Sequence, residues 1–189
     1  MAVSARKDDG VLPSGLTVAE FLAWVDDRPG RFELHDGQVV AMSPERIVHA
    51  QVKYAVTRAL SDAVAQASKN CHALPDGVGV KVSERKWYQP DALVYCGPPA
   101  LPDDIFIAAP VIVVEVTSPS TAQIDELDKL IGYFSLPSVQ HYLLINPHGL
   151  PLVHHQRQAD GNILTKIVAG GSIRLDPPGL ELDVERCFA

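Results

Sequence analysis

The chain has 189 residues, of which 47% are hydrophobic and 21% charged, and a formal net charge of −7 at pH 7. That length and balance suit a globular domain and exclude a low-complexity or disordered polymer. The acidic balance argues against a broad nucleic-acid surface, which is normally basic, although a local basic cleft remains compatible with it. A site that binds a divalent cation would itself contribute negative charge.

The first ten residues, MAVSARKDDG, are polar and lack the apolar stretch of a signal peptide. Residues 1–15 read as a loose tail ahead of a single domain at 16–189. No apolar run reaches the roughly 18 residues that a membrane-spanning helix needs. Cys71, Cys96 and Cys187 form no C-x-x-C pair. They read as reduced thiols, which points to a cytoplasmic protein.

Thr17 and Glu20 have capping-box spacing, so a short helix is predicted from Val18, with Phe21, Leu22 and Val25 on its apolar side. Residues 31–34 and 38–42 read as a hairpin around His35-Asp36-Gly37. Ser43-Pro44 reads as a helix start, and Val48, Val52, Val56 and Leu60 give an apolar stripe through a long helix at 45–67. The pattern then changes to period two, with strands expected at 78–82, 92–95 and 111–116. The last of these is apolar enough for burial on both faces. Residues 121–134 return to helical spacing, with Ile124, Leu127, Leu130, Ile131 and Phe134 apolar. A buried strand follows at 141–146, then a hairpin of 152–156 with 163–168 around Asp160-Gly161. The tail at 180–188 reads as packing on an edge. This order predicts a mixed α/β domain with a central sheet and helices packed on it.

Pro-Asp occurs three times. Pro75-Asp76-Gly77 and Pro102-Asp103 read as ordinary turns. Pro90-Asp91 differs, because the apolar run Ala92-Leu93-Val94-Tyr95 follows it. A carboxylate at the mouth of a buried strand is costly unless paired, so Asp91 either has a partner or sits on a strand edge facing water. Glu115 follows four β-branched residues in VIVVEVTSPS. It is either a cation ligand or one half of a buried ion pair. Two such carboxylates on neighbouring strand ends suit a hard cation such as Mg²⁺.

Asp125, Lys129 and Tyr133, four residues apart, form a polar stripe that lies nearly opposite the apolar one on the helix at 121–134. The stripe is either a solvated face or part of a site. His154 and His155 alternate on a strand and so face opposite ways, which disfavours a shared metal. Trp87 and Tyr88 are placed either to stack on a base or to cover the sheet edge. The chain carries no P-loop or Rossmann glycine pattern, no G-x-S-x-G and no zinc-ligand spacing.

In order and spacing, FELHDGQVVAMSP (32–44), His49, PDALV (90–94), VVEVTSPST (113–121), Asp125, Lys129, Tyr133 and HYLLINP (141–147) resemble the PD-(D/E)XK nuclease superfamily. More narrowly, they resemble a family of restriction-endonuclease-like proteins present in many copies in some bacterial genomes. The resemblance spans residues 16–168 and implies a restriction-endonuclease-like α/β (α+β) fold. In that fold a central mixed sheet is flanked by helices, with an N-terminal and a C-terminal hairpin. It implies an endonuclease that hydrolyses DNA phosphodiester bonds, with Asp91 and Glu115 holding Mg²⁺ or Mn²⁺, and a homodimer. The superfamily lysine would stand two residues after Glu115, where this chain has Thr117. Lys129 is the substitute that the narrower family suggests, with Lys81 a second candidate. Glu33 and His49 are possible accessory residues. The rival expectation is a catalytically inactive binding or structural protein that keeps the fold. Another is an enzyme acting on a different phosphoester, such as RNA.

Overall fold

In the computed structural model, residues 12–117 and 124–188 are described, with the side chains of residues 124 and 125 excepted. The expected position of Asp125 and the expected helix start at 121 therefore lie outside the described side chains and residues.

Helix α1 (Val18–Val25) opens with the predicted capping box: the Glu20 N–H donates to Thr17 Oγ1 (3.3 Å) and the Thr17 N–H to Glu20 Oε2 (2.8 Å). The predicted hairpin follows as β1 (Phe32–His35) and β2 (Gln38–Ala41). Asp36 (φ 48°) and Gly37 (φ 85°) are both left-handed between them, as a two-residue turn matched to strand twist requires. The chain ahead of α1 is tied down from Pro13, whose carbonyl accepts from the Val39 N–H at 3.0 Å. Pro13, expected in the tail, is therefore held against β2.

The long helix α2 spans Ile47–Ala67, and its N-cap is Arg46 with no side-chain capping bond. The predicted start at Ser43-Pro44 is thus corrected. Glu45 is drawn instead into ion pairs with Arg31 and Lys53, which hold the segment ahead of the helix.

After α2 come β3 (Cys71–Pro75), β4 (Val80–Ser83), β5 (Lys86–Tyr88), β6 (Ala92–Cys96) and β7 (Pro110–Val116). The chain then passes through α3 (Ile124–Ser135) to β8 (His141–Ile145), β9 (Leu152–Arg157) and β10 (Ile163–Val168). It ends in β11 (Ser172–Leu175), β12 (Leu180–Asp183) and one 3-10 turn at Glu185–Cys187. The central sheet has the order β10-β9-β8-β7-β6-β3, with β7 and β8 parallel and the other pairs antiparallel. A parallel pair needs a crossover, and α3 supplies it.

The strand expected at 78–82 does not join this sheet. As β4 it belongs to a smaller sheet, β2-β1-β5-β4. The unanticipated β3 takes the edge place beside β6, and β5 is also new. Only Gly fits at position 79, because a Cβ there would lie 2.0 Å from the Trp87 ring.

Alternation along β6 and β7 divides the core. Ala92, Val94, Ile112, Val114 and Val116 face α2, where Val52, Val56 and Leu60 meet them together with the β11–β12 hairpin. Leu93, Val113, Tyr133 and Tyr142 build the other side with Val80 and Tyr88. Phe21, Leu34 and Trp87 form a third cluster under the smaller sheet. Trp87 and Tyr88 are therefore core residues that neither stack on bases nor cover an edge. The C-terminal segment packs against α2 rather than on a sheet edge.

The expectation of three reduced thiols is also corrected. Cys71 and Cys96 stand directly opposite each other on β3 and β6 and form a disulfide, while Cys187 is a buried thiol. Among the described residues no helix is long and apolar enough to cross a membrane.

Candidate metal and phosphodiester site

Asp91 immediately precedes β6, and its N–H donates to the Val114 carbonyl at 3.0 Å, an extension of the β6–β7 ladder. Its side chain turns back so that Oδ2 accepts from the Val116 N–H at 2.7 Å. The carboxylate is buried and meets two residues of α2: His49 Nε2 at 3.4 Å and Lys53 Nζ at 2.9 Å. These stand four apart and so share a helix face. Burial alone would push the Asp91 carboxyl up. The His49 hydrogen bond, the Lys53 charge and the Val116 N–H outweigh it and hold the group below the usual carboxylate range.

Glu115 sits on the face of β7 opposite Val114 and Val116, and so points toward α3. Its Oε1 accepts from Tyr133 Oη at 2.7 Å and from Lys129 Nζ at 3.2 Å. Burial pushes this carboxyl up to about 8. The charges of Asp91 and Glu33 add to the rise, and Lys129 and Tyr133 oppose it. Glu33, from β1, is held by Lys129 Nζ (3.0 Å), His35 Nε2 (2.9 Å) and the Gln89 N–H (2.8 Å). Burial would raise its carboxyl, but Lys129, His35 and the Gln89 N–H keep it low.

The α3 stripe is turned opposite to a solvated face. Lys129 and Tyr133 are buried, whereas Leu127 and Ile131, expected on the apolar side, are 54% and 59% exposed. Gly132 lets the helix come this close, since a Cβ there would lie 2.8 Å from Tyr88 Cε2. Tyr88, Tyr133 and Tyr142 form a row of rings in edge-to-face and tilted contact, with centroids 5.4 and 5.3 Å apart along it.

Asp91, Glu115, Lys129, Glu33 and His49 all line one cleft of about 810 Å³. Lys81 is absent from it and pairs with Glu84 at 2.5 Å, because it stands opposite Trp87, as Leu34 does, on the face of the smaller sheet turned away from Glu33. The second lysine candidate is therefore withdrawn.

Three carboxylates converge beside the cleft: Glu45, Asp76 and Asp91 offer oxygens all within 4.8 Å of one another. Asp76, read from sequence as part of an ordinary turn, follows β3, and the β3–β6 pairing of Pro75 with Ala92 carries it next to Asp91. Lys53 Nζ lies 2.5 Å from Glu45 and 2.5 Å from Asp76, and Arg31 Nη1 lies 2.7 and 2.9 Å from the same two groups. Sequence reasoning missed Lys53, Glu45, Asp76 and Arg31. The one local signal was Lys53 itself, four residues after His49 and next to Val52 on the inward stripe. Glu45, Asp76 and Asp91 all offer hard carboxylate oxygens, which suits Mg²⁺ or Mn²⁺ rather than a thiolate-seeking metal.

His154 does face away from His155, as alternation requires. Its Nε2 meets His141 Nδ1 at 3.0 Å, while His155 bonds Thr165 at 2.8 Å.

A family model, Uma2, described as "Putative restriction endonuclease", matches residues 18–185. Two uncharacterized proteins of Synechocystis sp. are similar in sequence. One, slr1290, is 26% identical over 172 residues, 90% of this chain and 90% of that protein. The other, sll1609, is 24% identical over 163 residues, 85% of this chain and 92% of that protein. Among solved structures, a putative nuclease belonging to DUF820 from Anabaena variabilis ATCC 29413 superposes with a TM-score of 0.72. It is 16% identical and covers 92% of this chain and 97% of its own. The likeness establishes a shared restriction-endonuclease-like fold.

Proposed function

The chain belongs to the Uma2 family, described as putative restriction endonuclease, and from that premise we propose that it is a divalent-metal-dependent endonuclease acting on DNA. The observation that carries this reading is Lys129. It reaches from α3 to within 3.2 Å of Glu115, and so supplies beside that carboxylate an ammonium that Thr117 cannot. Asp91 and Glu115 would hold Mg²⁺ or Mn²⁺, with Glu45 and Asp76 as further oxygen donors. A cation bound there would supply Lewis-acid polarisation of the scissile phosphate and a bound water of lowered pKa.

The chain's own residues do the rest. Tyr133 and Lys129 both take Glu115 Oε1 and so fix that carboxylate's orientation. Glu33 holds the Lys129 ammonium at 3.0 Å, inside the cleft, where its charge offsets negative charge developing on the phosphate. His49 and the Val116 N–H fix Asp91.

Cleavage of supercoiled plasmid and of linear single- and double-stranded DNA in Mn²⁺, with Asp91→Asn and Lys129→Met beside the wild type, tests the proposal. We expect loss of at least 100-fold in either variant. Wild-type activity that survives both substitutions, or EDTA, would sink it. Cleavage of RNA alone would move the substrate class while keeping the site. A second reading, a non-catalytic protein of this fold, is favoured by the internal neutralisation of the carboxylates by Lys53, Arg31 and Lys129. It predicts no metal binding at millimolar concentrations.

A further inference from the structure

Acidic clusters are common, and Glu45, Asp76 and Asp91 alone would say little. What distinguishes this one is that a cation already sits in it. The Lys53 ammonium has three N–H donors, and each meets one carboxylate: Glu45 Oε1 and Asp76 Oδ2 at 2.5 Å and Asp91 Oδ1 at 2.9 Å. The amine is saturated, and it is buried on α2 beside His49. The three ligand oxygens lie within 4.8 Å of one another. Around one hard cation at roughly 2.1–2.5 Å, neighbouring oxygens stand about 3.0–3.5 Å apart and opposite ones about 4.2–5.0 Å, so three carboxylates gathered within 4.8 Å of one another need little movement to share one cation.

Charge leads the same way. Three carboxylates face Lys53 and the Arg31 guanidinium, which pairs with Glu45 and Asp76. The cluster with both cations seated keeps a formal excess of one negative charge. A divalent cation in place of the ammonium would bring it to zero, whereas one added beside the ammonium would make it positive. Nζ and a metal cannot share the same three oxygens at these distances. The cleft that Asp91, Glu45 and His49 line, about 810 Å³, offers a displaced amine somewhere to go.

We propose that Lys53 is a tethered counter-ion that occupies the Glu45–Asp76–Asp91 cluster and must be expelled before a divalent cation can take it, making the α2 lysine an autoinhibitory contact on metal loading. This rests on the reading that Asp91 binds a metal. Lys53 weakens metal binding and sets the concentration at which the site fills.

Titration calorimetry with Mn²⁺ on the wild type, Lys53→Met and Lys53→Arg tests this, with thermal melting to verify that each variant is folded. Lys53→Met is expected to bind Mn²⁺ at least tenfold tighter than the wild type, and Lys53→Arg, which keeps the charge, within about threefold of it. Equal or weaker binding by Lys53→Met, with the wild type binding, overturns the inference and leaves the metal site standing. No binding by any of the three overturns the metal site and the inference together.

A second measurement needs no variant. Amine acylation of the wild type, read by peptide mass spectrometry, should rise at least fivefold at Lys53 when Mn²⁺ is saturating. Labelling of the exposed Lys166 should stay constant. Lys53 labelling unchanged under saturating Mn²⁺ shows that the cation binds without displacing the amine, and overturns the proposal.

Discussion

Replacing Glu115 by Gln keeps the shape of the side chain and an acceptor for Lys129 and Tyr133 while removing the ability to ionise. In the folded protein burial pushes the Glu115 carboxyl up to about 8 from an ordinary 4.5. Between those values the native state binds more protons than the unfolded chain, so stability falls as pH rises through that window. Integrating the linkage gives a penalty on the wild type of about 1 kcal/mol at pH 5, about 3 kcal/mol at pH 7 and between about 4 and 5 kcal/mol at pH 8.5. Glu115→Gln lacks this term. In EDTA, urea denaturation at these three pH values should show the variant gaining on the wild type as pH rises, by about 3–4 kcal/mol from the lowest to the highest. Groups distant from the site are common to both proteins and cancel in the difference, and Asp91 and Glu33, which interact with Glu115, are held low enough to stay ionised across this window. Parallel pH profiles would refute the reasoning, because they would mean that Lys129 and Tyr133 stabilise the carboxylate fully and that burial contributes no net upward shift.

Asp91→Ala removes one of three acceptors from the buried Lys53 ammonium and leaves the Val116 N–H unpaired. A cost of about 2–4 kcal/mol is expected in urea denaturation at pH 7, and a stabilised variant would contradict the packing described. Burial pulls both His141 and His154 down to about 4. The unfolded chain therefore binds more protons between pH 6.5 and 4, and stability is lost as pH falls through that window. The loss is at most about 3 kcal/mol per histidine, and His154→Gln should flatten part of the slope in thermal melts. Gly132→Ala would set a Cβ 2.8 Å from Tyr88. Overpacking of about 1–3 kcal/mol should outweigh the roughly 1 kcal/mol of helix propensity gained, and a variant more stable than wild type would argue against the close approach.

How far the site could be read beforehand varied with each residue's signal. Asp91 and Glu115 were legible because each interrupts an apolar strand, where a carboxylate needs a reason to be. Lys129 and Tyr133 were legible as a stripe, but which way the stripe faced was not. Helical spacing fixes which residues share a face, and the tightness of packing at Gly132 against Tyr88 decides which face turns inward. Asp76 looked like a turn residue and is one. Its place in the site follows from β3 pairing with β6, a contact between segments that the local pattern did not mark as partners.

By itself, the sequence determined the α1 capping box, the β1–β2 and β9–β10 hairpins, the buried helix stripe and the odd carboxylates, because each depends on residues near one another along the chain. The tertiary structure alone decided that β4 leaves the central sheet and that Lys81 lies on the face turned away from Glu33 and the cleft. It also decided that Cys71 meets Cys96, and that Lys53, Glu45, Asp76 and Arg31 close around Asp91. Those outcomes depend on strand order and on the burial of charge, and a buried charge finds its partner in space, wherever in the chain that partner lies.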